Sequence, residues 1–150
     1  MRYPPKSTIV FASDHGGVNL RKVLQEEAKL AGFLVEDYGV HENVSIDYPD
    51  QVNLAVENFL RLGAEYLVLV CGSGIGVSIA ANRNPKLRAV VAINTTQARL
   101  AREHNHANCL CLGERITGVD LAKEIFYCFI NTDPDLSDRH CRRVAKLENI

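Results

Sequence analysis

Short apolar segments rich in β-forming residues alternate with helical patterns along the whole chain, and this alternation limits the possible folds more than any other feature. The pattern predicts five strands, over Thr8–Ser13, Phe33–Asp37, Tyr66–Cys71, Arg88–Ile93 and Cys109–Leu112. Tyr66–Cys71 is apolar without interruption, which is typical of a strand covered on both faces. Such strands, separated by helices, predict an α/β fold with a parallel sheet, right-handed crossovers and helices on both faces.

The segments between the strands have helical spacing and recognisable ends. Apolar residues recur at helical spacing within Leu20–Ala31, and Gly32 follows where a helix would end. Pro49 suits the first turn of a second helix, which would end at Gly63. Further helices are predicted from the glycine-rich turn 72–76 to about Asn82, over Thr96–Glu103, after Gly118, and over the basic tail Arg139–Ile150.

Length and composition exclude several classes of protein. A chain of 150 residues favours one domain, here expected to span residues 1–150. The net charge is -1, whereas a protein that mainly neutralises nucleic-acid phosphates is usually basic, so no nucleic-acid partner is expected. Five cysteines, an odd number with no C-x-x-C pair, predict reduced thiols in the cytoplasm. The apolar runs are too short for a membrane span or a signal peptide, so no membrane partner is expected.

Ligands of open parallel sheets bind at the carboxyl ends of the strands, so the residues after each strand are the first candidates for a site. The first strand is followed by Asp14-His15-Gly16-Gly17, an acid and an imidazole beside two glycines at the start of a helix. Backbone amides at such a position favour anions. An alternative is that Asp14 only caps the helix, before a loose turn.

The third strand is followed by Cys71-Gly72-Ser73-Gly74-Ile75-Gly76. The segment lacks the closing x-x-Gly of the dinucleotide-binding fingerprint. It also lacks the Gly-Lys-Ser/Thr sequence of the phosphate loop of nucleotide hydrolases, so it is neither of these motifs. It places a cysteine at the tip of a buried strand, facing backbone N–H groups that would stabilise a thiolate and a developing oxyanion. The alternative is an inert, buried strand cysteine.

Histidines and cysteines cluster around the fifth strand, in His104-Asn105-His106-Ala107-Asn108-Cys109-Leu110-Cys111. A zinc site is poorly supported, because Cys109 and Cys111 would share one face of a strand, turned to the core, and His106 has no predicted partner. His104 and Asn105 are expected to end a helix at the ligand rim, where His104 is an acid–base candidate. The alternative for His104 is an exposed histidine at a helix end.

Three arginines are candidates for binding an anion. Arg115 follows the fifth strand, and Arg139 and Arg143 are four residues apart, so they share one face of a helix. Two guanidinium groups on one face suit a phosphate, although a solvated basic tail would have the same pattern.

Taken together, these segments resemble the type B ribose-5-phosphate isomerases, whose family also contains the galactose-6-phosphate isomerase subunits. The resemblance runs from Ile9 to about Leu147, and it depends on the order and spacing of seven segments. These are Ser13–Gly17, Asp47-Tyr48-Pro49, Cys71–Asn82, Arg88-Ala89-Val90, His104-Asn105, Leu112-Gly113-Glu114-Arg115, and Arg139-His140 with Arg143-Val144.

The resemblance implies a three-layer, Rossmann-like α/β/α sandwich with a five-stranded parallel sheet. It also implies a homodimer, sometimes paired into a tetramer, with active sites shared between subunits and with the C-terminal helix 139–150 packing at the interface. It implies no metal and no organic cofactor. Members of this family use either a cysteine at the position of Cys71 or a glutamate at the position of Ile75 as the base, and this chain resembles the cysteine branch.

The implied reaction interconverts ribose 5-phosphate and ribulose 5-phosphate through an enediolate, a step of the pentose phosphate pathway. In this interpretation Cys71 moves the proton, Ser73 exchanges a proton with the enediolate oxygens, and His104 opens the sugar ring. The implied substrate-binding residues are Asp14, His15, Tyr48, Gly72, Gly74, Gly76, Asn105, Arg115, Arg139 and Arg143.

Three other functions remain open. The same chemistry could serve a six-carbon substrate, allose 6-phosphate or galactose 6-phosphate. A phosphate- or nucleotide-binding module without activity could use the glycine loop, but it would need neither Cys71 nor His104. A thiol redox protein would need a resolving cysteine near Cys71 in the sequence, and none is present.

Overall fold

The computed structural model describes residues 7–41 and 44–150, which form a five-stranded, all-parallel sheet with helices on both faces. The strands are β1 (Thr8–Ser13), β2 (Leu34–Asp37), β3 (Tyr66–Cys71), β4 (Ala89–Val91) and β5 (Cys109–Gly113). The helices are α1 (Val18–Leu30), α2 (Tyr48–Leu62), α3 (Ile75–Ala81), α4 (Thr95–Asn105), α5 (Val119–Asn131) and α6 (Asp138–Leu147). The predicted α/β/α sandwich is therefore confirmed.

The order of the strands in the sheet is β2-β1-β3-β5-β4. The chain thus leaves β1 for one side of the sheet, to form β2, and then crosses to the other side to form β3. This reversal opens a crevice between the carboxyl ends of β1 and β3, where Ser13 pairs in register with Val70.

Two apolar layers cover the sheet because side chains alternate between its faces along each strand. One layer packs β-strand residues such as Phe11 and Val68 against α1, α4 and α5. The other packs Val10 and Leu69 against α2 and α3. Every residue of β3 is buried, as its apolar sequence predicts.

The layer under α4 and α5 contains a buried arginine. The Arg102 guanidinium donates hydrogen bonds to the carbonyl oxygens of Ala107 and Thr132, and its central carbon lies 5.1 Å from the centre of the Tyr66 ring. These contacts join α4, the segment before β5 and the end of α5. The charge is tolerated because its donors bond to backbone carbonyl oxygens.

The edge strand β4 has three residues, whereas the sequence predicts six over Arg88–Ile93. Its outer edge is covered by the side-chain amide of Asn82, which donates to the Ala89 carbonyl oxygen at 3.0 Å and accepts from the Ala89 N–H at 2.8 Å. One amide thus takes the place of a neighbouring strand. In the described part of the chain, no helix is long and apolar enough to cross a lipid bilayer.

Candidate active site

The crevice between β1 and β3 brings two of the predicted motifs into contact. A Cβ atom on Gly16 would lie 3.2 Å from the Gly72 nitrogen, and one on Gly17 would lie 2.6 Å from the Val70 carbonyl oxygen. Only residues without a side chain allow the turn after β1 to approach β3 this closely. The two glycines therefore hold Asp14 and His15 beside the cysteine loop 71–76.

Cys71 ends β3 with its side chain turned to the α2–α3 face, and it is 5% exposed. The Gly74 N–H donates to the Cys71 Sγ at 3.1 Å, and Gly74 has a φ of 79° that favours glycine. A backbone N–H aimed at sulfur stabilises the thiolate, since it donates more strongly to a charged acceptor than to a neutral one. The next amide, of Ile75, donates to the Ser73 Oγ at 3.2 Å, so the two residues after Cys71 shape the loop around it.

The loop after β5 braces the cysteine loop from the other side. Glu114 and Arg115 donate their backbone N–H groups to the carbonyl oxygens of Cys71 and Gly72, at 2.9 and 3.0 Å. The Arg115 side chain lies over Gly72, where an added Cβ would meet its guanidinium carbon at 3.4 Å. Gly113 packs so closely on the loop that an added Cβ would lie 2.5 Å from the Ser73 carbonyl carbon.

The carboxylate of Glu114 binds the start of α1, where the Leu20 N–H donates to its Oε1 at 2.6 Å. The sequence assigns no role to Glu114, because nothing in its pattern relates position 114 to position 20. Asp14 does not cap α1, whose first flanking residue is Gly17; its Oδ1 accepts the Gly16 N–H at 2.8 Å instead. Glu114 therefore satisfies a backbone amide at the N-terminus of α1, where the sequence predicts that free amides favour a bound anion.

The predicted residue Tyr48 completes this group of side chains. It begins α2, and a Cβ on Gly76 would lie 2.5 Å from its ring, so the ring rests on the first turn of α3. His15 is exposed at the rim. We call this group the cysteine half-site; its members are Asp14, His15, Tyr48, Cys71, Gly72, Ser73, Gly74, Gly76 and Arg115.

His104 and Asn105 lie beyond the amino ends of the strands, whereas the cysteine half-site lies at their carboxyl ends. They end α4, which leads from β4 to the start of β5, and the amino ends of the strands surround them. Arg88, immediately before β4, donates from Nε to the His106 carbonyl oxygen at 3.1 Å. His104 and Asn105 therefore end a helix, as predicted, but within one chain they do not lie with Cys71 at the carboxyl ends of the strands. The order of residues in the sequence indicates this separation. Cys71 and Arg115 follow their strands and so lie at the carboxyl ends, whereas His104 precedes a strand and so lies at the amino ends.

The N-terminal part of α6 packs beside the end of α4 and adds two predicted arginines to this edge. The His104 and His140 rings stack with centres 4.6 Å apart and an interplanar angle of 7°. Burial lowers the pKa of His140, and the charges of His104, Arg139 and Arg143 lower it further, whereas Asp135 opposes them. We call this group the histidine half-site; its members are His104, Asn105, Arg139, His140 and Arg143.

The two half-sites are separated by the length of the sheet. The first and last residues of β5 are four steps apart, which is about 13 Å at roughly 3.3 Å per step, and the half-sites lie beyond opposite ends of the strands. One chain therefore presents two incomplete constellations. The cysteine half-site has a thiol, backbone donors, one imidazole and one arginine, and the histidine half-site has two imidazoles and two arginines.

Two of the remaining thiols are packed in the core. Cys109 and Cys111 are fully buried on one face of β5, as predicted, with their Sγ atoms 3.8 Å apart. The structure shows that Cys71 lies on the same face of the sheet. Burial raises the pKa of the Cys111 thiol, which favours its neutral form. His106 does have a partner, because its Nε2 lies 2.8 Å from the Asp135 carbonyl oxygen. Within residues 7–41 and 44–150, no three His, Cys, Asp or Glu side chains gather as metal ligands would.

Comparison with known proteins identifies the family to which the chain belongs. Residues 9–147 match the family model of the Ribose/Galactose Isomerase family. The chain is 36% identical over 145 residues to ribose-5-phosphate isomerase B of Escherichia coli, covering 95% of each chain. It is also 36% identical over 140 residues to a protein of Rickettsia bellii described only as a sugar phosphate isomerase, covering 93% of this chain and 96% of that one.

Solved structures of similar chains have the same fold. The structure of ribose-5-phosphate isomerase B of Clostridium thermocellum superposes with a TM-score of 0.90 at 41% identity, over 95% of each chain. That of the type B enzyme of Trypanosoma cruzi gives 0.91 at 37% identity, over 96% of this chain and 95% of that one. Sequence and fold agree over nearly the whole length, so the chain is an isomerase that belongs to the ribose/galactose isomerase family.

Proposed function

We propose that the protein interconverts ribose 5-phosphate and ribulose 5-phosphate through an enediolate, with Cys71 as the base. The observation that carries this proposal is the Gly74 N–H directed at the Cys71 Sγ, in the crevice between β1 and β3. Relatives named ribose-5-phosphate isomerase support the five-carbon substrate. Another relative is described only as a sugar phosphate isomerase, so the test below also includes a six-carbon sugar phosphate as substrate.

The difficult step is the removal of a weakly acidic proton from the carbon beside a carbonyl group. The Cys71 thiolate takes the proton from C2 of the open aldose, and the electron pair of that C–H bond forms the C1=C2 double bond of the enediolate. Negative charge moves to O1, where a proton is exchanged between O1 and O2 with the help of Ser73. Cys71 then returns its proton to C1, which leaves the ketone at C2. Loss of one donor to such an oxyanion typically raises the barrier by about 3–4 kcal/mol.

The sugar must first leave its ring form. His104 serves as the acid–base group: the anomeric hydroxyl loses its proton, the bond between C1 and the ring oxygen breaks, and the ring oxygen gains a proton. Asp14 and Tyr48 contact the sugar, and Asn105 binds an oxygen of the open chain. The remaining predicted ligands, His15, Arg115, Arg139 and Arg143, hold the phosphate, and planar guanidinium groups suit that anion.

These roles require two copies of the chain, because the half-sites of one copy lie at opposite ends of the strands. A second copy that places its histidine half-site over the cysteine half-site of the first would complete both sites of a two-fold dimer. Four isoleucines, Ile75, Ile79, Ile93 and Ile116, belong to α3 or to the loops after β4 and β5, and each is more than half exposed. Exposed apolar side chains around an incomplete site favour such an interface, with α6 packed within it.

The test is a coupled assay of the purified protein with ribose 5-phosphate and with allose 6-phosphate, with and without a chelator. We expect turnover of ribose 5-phosphate that the chelator does not affect. Cys71→Ala is expected to abolish turnover while the substrate still binds, measured by calorimetry. Cys128→Ser is the matched control, since this half-buried thiol on α5 contacts the Thr95 carbonyl oxygen away from both half-sites. Near-normal turnover by Cys71→Ala would refute the assignment of the base.

A further inference from the structure

The ring of His140 has no role in the proposed chemistry, yet it is the best-anchored side chain of the histidine half-site. It is 5% exposed, whereas His104 is exposed at the last turn of α4. The two rings are nearly parallel, at 7°, with centres 4.6 Å apart. This offset stack fixes the plane of the exposed imidazole against a buried one.

The residues that hold His140 are fastened to α4 itself. The Asp135 N–H donates to the Glu103 carbonyl oxygen at 2.9 Å, and the Asp135 carbonyl oxygen lies 2.8 Å from the His106 Nε2. The Asp135 carboxylate lies 3.5 Å from the His140 Nε2. The loop before α6 is thus attached to both residues that flank His104 and Asn105 in sequence.

The backbone at the end of α4 supports the same arrangement. His106 has a φ of 48°, a left-handed conformation that is unfavourable for a residue with a Cβ by about 1–2 kcal/mol. Its ring contact with Asp135 helps to offset this strain. A histidine at this position therefore turns the chain sharply after Asn105 and at the same time binds the loop that carries the stacking partner of His104.

We propose that His140 is a positioning residue that orients the His104 ring for opening of the sugar ring. The inference rests on the proposed function, in which His104 is the acid–base group. The charged and titratable groups that face His140 are Asp135 from the loop, His104 from α4, and Arg139 and Arg143 from α6. Burial and three of these four groups favour the neutral ring, so His104 can gain a proton without a second imidazolium stacked against it.

The test separates ring opening from proton abstraction. Ribose 5-phosphate is mainly cyclic, whereas ribulose 5-phosphate is acyclic because its C5 hydroxyl carries the phosphate. Two rates are therefore compared: isomerisation of ribose 5-phosphate, and incorporation of deuterium from D₂O into C1 of ribulose 5-phosphate. His140→Ala is expected to slow isomerisation by about a hundredfold, the effect of misplacing a catalytic group by about 1 Å, and to leave deuterium incorporation unchanged.

His140→Phe is the conservative variant, because a flat, uncharged ring keeps the stacking surface. It is expected to restore most of the isomerisation rate lost in His140→Ala. Equal loss of both rates in His140→Ala, unchanged isomerisation, or a rise in KM alone would each overturn the positioning role. His104→Ala tests the proposed function separately. If this variant isomerises ribose 5-phosphate at the unmutated rate, His104 does not open the sugar ring, and the positioning role of His140 is then wrong as well. Loss of deuterium incorporation in Cys71→Ala checks the base independently of both histidines.

Discussion

Two inactive variants are expected to restore each other's activity if the half-sites of different chains combine. Cys71→Ala removes the base from the cysteine half-site, and His104→Ala removes the acid–base group from the histidine half-site. The length of a strand, about 13 Å, lies between these residues within one chain, so one chain cannot use both on the same substrate. In a mixed dimer, one site combines the intact Cys71 of one chain with the intact His104 of the other.

The expected recovery follows from the number of intact sites. Random reassortment of equal amounts makes about half of the dimers mixed, and each mixed dimer has one intact site and one site lacking both residues. About one quarter of all sites are then intact, so the mixture should recover about one quarter of the unmutated activity. A mixed dimer purified through two different affinity tags should have about half of it.

The assay is the coupled conversion of ribose 5-phosphate after the two variants are unfolded in urea together and refolded. The matched control combines Cys71→Ala with Arg115→Ala, since both residues belong to the cysteine half-site and no mixed site is intact. Absence of recovery in the purified mixed dimer of Cys71→Ala and His104→Ala would refute the shared site. Recovery in the control pair would refute the division into half-sites.

Three further predictions concern the fold that supports the site. Arg102→Met should lower the free energy of unfolding by about 2–4 kcal/mol in urea titrations, because one buried and one partly buried carbonyl oxygen lose their donor; an unchanged midpoint would contradict this. Gly113→Ala should reduce kcat by about a hundredfold, since the new Cβ would displace the loop at Ser73, whereas Gly118→Ala, with open space around it, should not. Hydrogen bonds from Tyr127 and Lys123 hold the pKa of Glu27 below its ordinary value. The stability that Glu27 adds is therefore fully present when the pH is above the ordinary pKa, and it is lost as the pH falls through the lowered pKa. Glu27→Gln should accordingly lower the free energy of unfolding at pH 7 and have no effect in acid. A loss of stability that does not change with pH would contradict this.

The sequence predicts an element best where burial alone determines the pattern. β1 and β3 begin and end at the predicted residues, because each is an apolar run that the sheet buries almost completely. β4 is shorter than predicted, since an edge strand gains less from continued pairing and Asn82 takes up its outer edge at Ala89. α4 begins one residue early because the Asn94 side chain accepts the Gln97 N–H, and it extends two residues further, to Asn105.

The sequence proposes a set of site residues but not their arrangement. The motif after β3 places a thiol beside backbone donors through local geometry, which a short segment can encode. The contact of Glu114 with Leu20 and the stacking of His140 on His104 join segments that are distant in the chain. Such contacts depend on the order of the strands and on how α6 returns to α4, and spacing in one sequence does not contain that information.

The amide of Asn82 also limits how copies of this chain can join. An uncovered edge strand offers N–H and C=O groups to any passing chain, and repeated addition at such an edge leads to fibres rather than closed particles. At Ala89 both backbone groups are already satisfied from within the molecule. Growth by adding strands at Ala89 is therefore blocked, and association at this position is left to helices and loops, whose side chains can select a finite assembly.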